Sequence, residues 1–199
     1  MPNYRSDVVG SLLRPDYLKE ARHRHESGAL SDAEFKRIED RAVNEAIDLQ
    51  TRLGFEVVTD GELRRYAFFG HLPDSIEGFD KAGGWAIPFH DEQGNTFVQT
   101  RPVVVAKLHR KRHMCAEEFT YLRARTDRCG KVTLLSAQQA AAYYEPEKSR
   151  MAYPTIDAYL ADIVDLLRGE VAELINLGCT YIQIDAPQYA ALLDPEIRE

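Results

Sequence analysis

The chain has 199 residues, 44% of them hydrophobic and 29% charged, which is globular composition with enough apolar residues for a sizeable core. Its net charge of −7, from 25 basic and 32 acidic residues, argues against a broad nucleic-acid surface. The first seven residues hold no apolar run and no stretch approaches about 18 consecutive apolar residues, so neither a signal peptide nor a membrane partner is expected.

In chain order, Asp7–Leu13 reads as a first strand, followed by a charged linker in which His23 and His25 are expected to be solvated. Ser31 and Glu34 have the spacing of a capping box, and Phe35, Ile38, Ala42, Leu49 and Leu53 follow at helical intervals up to a stop at Gly54. Glu56–Thr59 is the second strand. Residues 66–101, rich in glycine, proline and aromatics with turn signals at Gly83-Gly84 and Gly94-Asn95, predict a long loop with a small hairpin over a barrel mouth. Pro102–Leu108 is the third strand, and the basic cluster Lys107 to His113 beside it reads as a solvated loop. A short helix over Ala116–Thr126 precedes the fourth strand, Lys131–Leu135. A long helix then starts behind Pro154, carries Ile156, Leu160, Ile163, Leu167, Val171, Leu174 and Ile175 on one face, and stops at Gly178. The fifth strand is Thr180–Ile184.

Nearly continuous apolar runs such as Val103-Val104-Val105 suit parallel strands buried on both faces. Alternating strands and helices then predict an α/β fold, specifically a (β/α)8 TIM barrel, with acidic residues at strand ends where such barrels keep their chemistry. Five strands ending by Pro187 scale to roughly 300 residues for eight. Residues 1–199 are accordingly expected to be the N-terminal part, about five β/α units, of one barrel with an insertion at 66–101. Such a part-barrel would expose an apolar edge and invite self-association.

Three strand ends carry candidate chemistry. At Val9-Gly10-Ser11, glycine lets a ligand approach the backbone and Ser11 adds a hydroxyl, while Arg14 can fork a carboxylate or phosphate; a plain turn before Pro15 explains the same residues. In Thr59-Asp60-Gly61-Glu62-Leu63-Arg64-Arg65, Glu62 can hold an ammonium group, whereas Asp60 with Arg64 or Arg65 can simply brace the rim. Gln183 and Asp185 end the fifth strand, and Ser136 the fourth, where they can line the same mouth. His113-Met114-Cys115, with Cys129 beyond, imitates a metal motif but gives at most three donors where zinc wants four, so no metal site is assigned. Cys115, Cys129 and Cys179 are odd in number and unevenly spaced, which points to free thiols and a cytoplasmic location.

Together, V-G-S-L-L-R-P, V-V-T-D-G-E-L-R-R, K-V-T-L-L-S and Y-I-Q-I-D-A-P, in this order across the chain, resemble the cobalamin-independent methionine synthase family, closest to its single-barrel members. The resemblance implies a methyltransferase that moves a methyl group from a methyl-folate-type donor to the zinc-bound thiolate of homocysteine. It implies that Glu62 and Asp185 hold the homocysteine ammonium and that Val9 and Ser11 hold its carboxylate. Arg14, Asp60, Arg65, Ser136 and Gln183 are expected as further substrate or rim contacts. The family's zinc ligands are expected beyond residue 199, leaving this chain inactive by itself. Ala186 departs from the D-E-P pattern usual in the family, and Val8 stands where close relatives carry histidine. A zinc-dependent epoxide:coenzyme M-type thiol alkyltransferase and a non-catalytic half-barrel subunit are the alternatives.

Overall fold

The computed structural model describes residues 7–90, 92–187 and 193, with the backbone alone at residues 87, 89 and 97. The N-terminal six residues and the end of the chain, on which the leader and truncation expectations rest, lie outside the described residues. Along the chain run α1 (Asp16–Glu26), α2 (Asp32–Arg52), β1 (Val57–Val58), α3 (His71–Ser75), β2 (Ile76–Asp80), β3 (Ala86–His90), β4 (Thr96–Thr100) and β5 (Val103–Arg110). These are followed by α4 (Ala116–Arg123), β6 (Cys129–Leu135), α5 (Ala137–Ala141), α6 (Pro146–Ser149), α7 (Ile156–Asn176) and β7 (Tyr181–Asp185).

The helix signals act as expected. Ser31 Oγ accepts from the Glu34 amide while the Glu34 carboxylate accepts from the Ser31 amide, so two orphan donors at the start of α2 are satisfied reciprocally. Gly54 and Gly178, at φ 80° and 87°, supply the left-handed residues after α2 and α7.

The chain divides into two compact units. The first comprises residues 1–70, 115–133 and 173–183. Its core joins Leu18 and Ala21 of α1 to Phe35, Ala42, Val43, Ala46 and Ile47 of α2, with Val58, Leu63 and Leu122. The second comprises residues 71–114, 134–172 and 184–199. There β2 pairs antiparallel with β5, with a register shift across Gly78, and Phe79 meets Tyr143 edge-on at 6.1 Å. Tyr153 and Tyr159 pack at 5.6 Å in the same unit. The segment between β2 and β5 forms the antiparallel hairpin β3–β4.

A three-stranded sheet has the order β1-β6-β7, with β1 and β6 parallel. The architecture is mixed α/β, and among the described residues no sheet closes into a barrel. Four sequence expectations are corrected. Asp7–Leu13 is irregular rather than a strand, because the Val8 and Val9 carbonyls are taken by the side chains of Lys131 and Gln183 instead of a ladder. The third expected strand, β5, pairs antiparallel, not parallel. His23 and His25 lie in helix α1; His25 is 2.8 Å from Asp32 and stacks on Phe35 at 4.6 Å, so it is partnered rather than merely solvated. Lys107 to Arg110 belong to β5, and Arg110 Nη2 donates to the Leu166 carbonyl at 2.5 Å, so only Lys111 to His113 of that cluster lie in a loop. No helix among the described residues is long and apolar enough to cross a membrane.

Candidate functional site

In the first unit, the backbone leaving β1 is gripped by a side chain before it turns. Gln50 of α2 donates to the Thr59 carbonyl at 2.8 Å and accepts from the Thr59 amide at 2.9 Å, imitating a neighbouring strand. The amides of Gly61 and Glu62 are then caught locally. Thr59 Oγ1 accepts from the Gly61 amide at 3.1 Å, and Asp60 Oδ1 accepts from the Glu62 amide at 2.9 Å. Gly61 has φ 71° and Glu62 has φ 55°, so two successive residues are left-handed. Glycine is needed at the first, since an added Cβ would also sit 3.2–3.3 Å from the Leu63 and Leu12 side chains. At Glu62 the conformation costs on the order of 1 kcal/mol and has to be held in place.

What this turn presents is a buried carboxylate with two hydroxyl donors. One oxygen of Glu62 accepts from Ser11 Oγ and the other from Thr133 Oγ1 on β6, while Arg65 Nη1 stands 3.4 Å away. Glu62 is 1% exposed, whereas Ser11 is exposed and the bond between them is part-buried. Arg14 bridges the same turn, donating to the carbonyls of Arg65 and Glu62 at 3.0 and 3.2 Å. These two bonds brace the backbone of the turn.

Arg65 is the cation beneath the turn. Its Nη2 reaches Glu118 at 2.9 Å and the Thr133 carbonyl at 3.1 Å, its Nη1 reaches Thr133 Oγ1 at 3.1 Å, and Cys115 Sγ lies 3.5 Å away. Burial alone would pull the guanidinium below its ordinary value, but Glu118, Cys115, Asp60 and Glu62 together hold it well above. Asp60 is moved the other way. Burial, reinforced by Glu118, pushes its carboxyl up to about 6 against the pull of Arg65. Arg64 turns instead to Asp40, at 2.5 Å.

The segment carrying Val9 and Ser11 is fastened by Lys131. This fully buried ammonium donates to Asp7 Oδ2 and Gln183 Oε1, both at 2.9 Å, and to the Val8 carbonyl. Gln183 Nε2 donates onward to the Val9 carbonyl at 2.7 Å. Val9, Ser11, Arg14, Asp60, Glu62, Arg65 and Gln183 therefore belong to one unit. Asp185 and Ser136 belong to the other, where the Ser136 amide donates to the Asp185 carbonyl at 2.9 Å and Ser136 Oγ caps α5.

Lys131 and Gln50 were not singled out from sequence. A lysine two residues before Thr133 in an apolar strand shares its face, and a lysine on a buried face is the signal that was there to read. The two H-x-C residues are engaged separately, Cys115 against Arg65 in the first unit. In the second unit His113 Nδ1 lies 3.1 Å from Glu170, whose carboxylate also accepts from the Met114 amide at 2.9 Å. Among the described residues no three His, Cys, Asp or Glu side chains come together as a metal site. The described residues thus assemble no ligand set for a zinc ion.

Three comparisons bear on this geometry. Residues 5–196 match the family described as cobalamin-independent synthase, catalytic domain. The chain is 28% identical over 202 residues to the uncharacterized protein YxjH of Bacillus subtilis, covering 98% of this chain and 51% of that one. It is 26% identical over 189 residues to a methionine synthase of Saccharolobus solfataricus, covering 94% and 54%. The chain thus spans about half the length of the curated relatives it matches. A crystal structure described as a putative vitamin-B12 independent methionine synthase from Listeria monocytogenes superposes with a TM-score of 0.72 at 21% identity, over 95% of this chain and 54% of that one, a likeness of fold.

Proposed function

The chain belongs to the cobalamin-independent synthase catalytic-domain family, and from that premise we propose that it forms the amino-acid-binding part of a methionine-synthase-type methyltransferase acting on homocysteine. The observation that carries this reading is the Glu62 carboxylate, turned out of a left-handed backbone onto the hydroxyls of Ser11 and Thr133. A carboxylate has about four acceptor positions, and two hydroxyls with Arg65 on the Thr133 side leave one for an ammonium donor. Glu62 then meets the substrate ammonium, and the Val9–Ser11 segment, fixed by Lys131 and Gln183, offers backbone amides to the substrate carboxylate while the Ser11 hydroxyl stays on Glu62. Asp185 enters as a second ammonium partner through the family resemblance alone. On the same grounds the strand and helix units are read as part of a (β/α)8 barrel.

The reaction so assigned moves a methyl group from the donor's nitrogen to the homocysteine sulfur, and the thiol proton replaces it on the donor. The family resemblance assigns thiol activation to a zinc ion, for which the described residues assemble no ligand set, so no step here runs through a metal. What this chain supplies is orientation, since holding both ends of the amino acid fixes where its sulfur lies.

Calorimetric titration of the chain with homocysteine and with coenzyme M separates this from the epoxide:coenzyme M-type reading. Coenzyme M is a thiol with no ammonium group for Glu62. Heat of binding with homocysteine only is the expected result; binding of coenzyme M in preference would overturn the assignment.

A further inference from the structure

Glu62 is the one non-glycine residue with positive φ among the described residues, and the turn that imposes it is built from side-chain oxygens rather than from a ladder. Thr59 Oγ1 and Asp60 Oδ1 take the amides of Gly61 and Glu62 in succession, and the Leu12 amide donates to the Gly61 carbonyl at 3.1 Å. With an ordinary right-handed φ at Glu62, its Cβ would leave along another direction and the carboxylate would part from Ser11 and Thr133. The orientation of the carboxylate is therefore set one residue upstream of its own side chain.

Asp60 occupies this place at an evident disadvantage. It is 7% exposed, and among the described residues its Oδ2 has no hydrogen-bond partner, so only the Glu62 amide satisfies it. Glu118 and Glu62 add negative charge around it. What Asp60 does from this buried place is accept from the Glu62 amide, the bond nearest the left-handed φ, and an asparagine oxygen would make the same bond without the charge.

We propose that Asp60 is a positioning residue that acts through the Glu62 amide to hold the Glu62 carboxylate in its ammonium-accepting orientation. This rests on the reading of Glu62 given above. Asp60 itself need not touch substrate. Its carbonyl-type oxygen performs the task, so the charge is dispensable and the acceptor is not.

The test compares Asp60→Ala, Asp60→Asn and Glu62→Gln in the full chain, titrated with homocysteine and with 4-mercaptobutyrate, its analogue lacking the amine. Asp60→Ala is expected to weaken homocysteine about tenfold and to leave 4-mercaptobutyrate within about twofold, while Asp60→Asn restores homocysteine binding to within about threefold. Equal weakening of both thiols, or wild-type homocysteine binding in Asp60→Ala, would show that Asp60 only supports the fold. If Asp60→Ala does not fold, Asp60→Leu, close to aspartate in size but with no acceptor for the Glu62 amide, is held to the same two outcomes. Failure of the underlying reading looks different: Glu62→Gln would then bind both thiols as wild type does, and the positioning role would fall with it.

Discussion

The ammonium of Lys131 donates to the backbone carbonyl of Val8, across 123 residues of sequence, and this bond stands where a strand ladder was expected. Its companions to Asp7 and Gln183 leave the ammonium fully satisfied although it is buried. Lys131→Met should therefore strand three oxygens and lower stability by about 3 kcal/mol in urea unfolding. A change below 1 kcal/mol would mean that the segment holds itself.

Arg65 makes a second, separable prediction. Arg65→Met leaves the carboxylates of Glu118 and Glu62 without their buried cation, and a loss of about 3 to 5 kcal/mol is expected from chemical denaturation. Arg65→Lys keeps the charge but cannot reach Glu118 and both oxygens of Thr133 with one planar fork, so it should fall between Arg65→Met and wild type.

Stability should respond to pH through Asp60 with a definite sign. Its carboxyl titrates near 3.8 when unfolded and about 6 when folded, so between these values the folded chain holds more protons. Asp60 thus favours folding most at low pH, and that contribution is lost as pH rises from about 4 to about 6. Asp60→Asn removes this slope. The variant should gain on the order of 2 to 3 kcal/mol over wild type above pH 6 and nothing near pH 4. A difference between the two proteins that does not vary with pH would contradict the burial of a charged Asp60.

Much of this was open to reading in the sequence where the causes are local. The capping box of α2 lies within one helix, and of its expected face Phe35, Ile38 and Ala42 pack into the core while Leu49 and Leu53 are exposed. Gly54 and Gly178 terminate their helices by a conformation glycine alone adopts easily. The exceptions have distant causes. Asp7–Leu13 is as apolar as a strand, and only Lys131 and Gln183, far along the chain, take its carbonyls. Helix α1 has few apolar residues among its charges, and Leu18 and Ala21 become core only against α2. The run Val103-Val104-Val105 reads as a parallel strand, yet its partner β2 contains Gly78 and shows no strand pattern of its own. In the site, Asp60 and Arg65 were picked out by charge, but their roles depend on Glu118 and Thr133, which sequence spacing does not bring near.

The capping box serves as an internal control. Ser31→Ala should cost about 1 kcal/mol in thermal or chemical unfolding, since it removes one oxygen from the start of α2. Thiol binding should be unaffected, because Ser31 is not part of the turn or of its supports.

The most direct measurement is the affinity of wild type and Glu62→Gln for homocysteine, each normalised to the same protein's affinity for the amine-free 4-mercaptobutyrate. If Glu62 receives the ammonium, the substitution lowers this ratio about tenfold or more while the amine-free thiol binds nearly as before. An unchanged ratio would contradict the account, leaving Glu62 as a buried brace for Ser11 and Thr133.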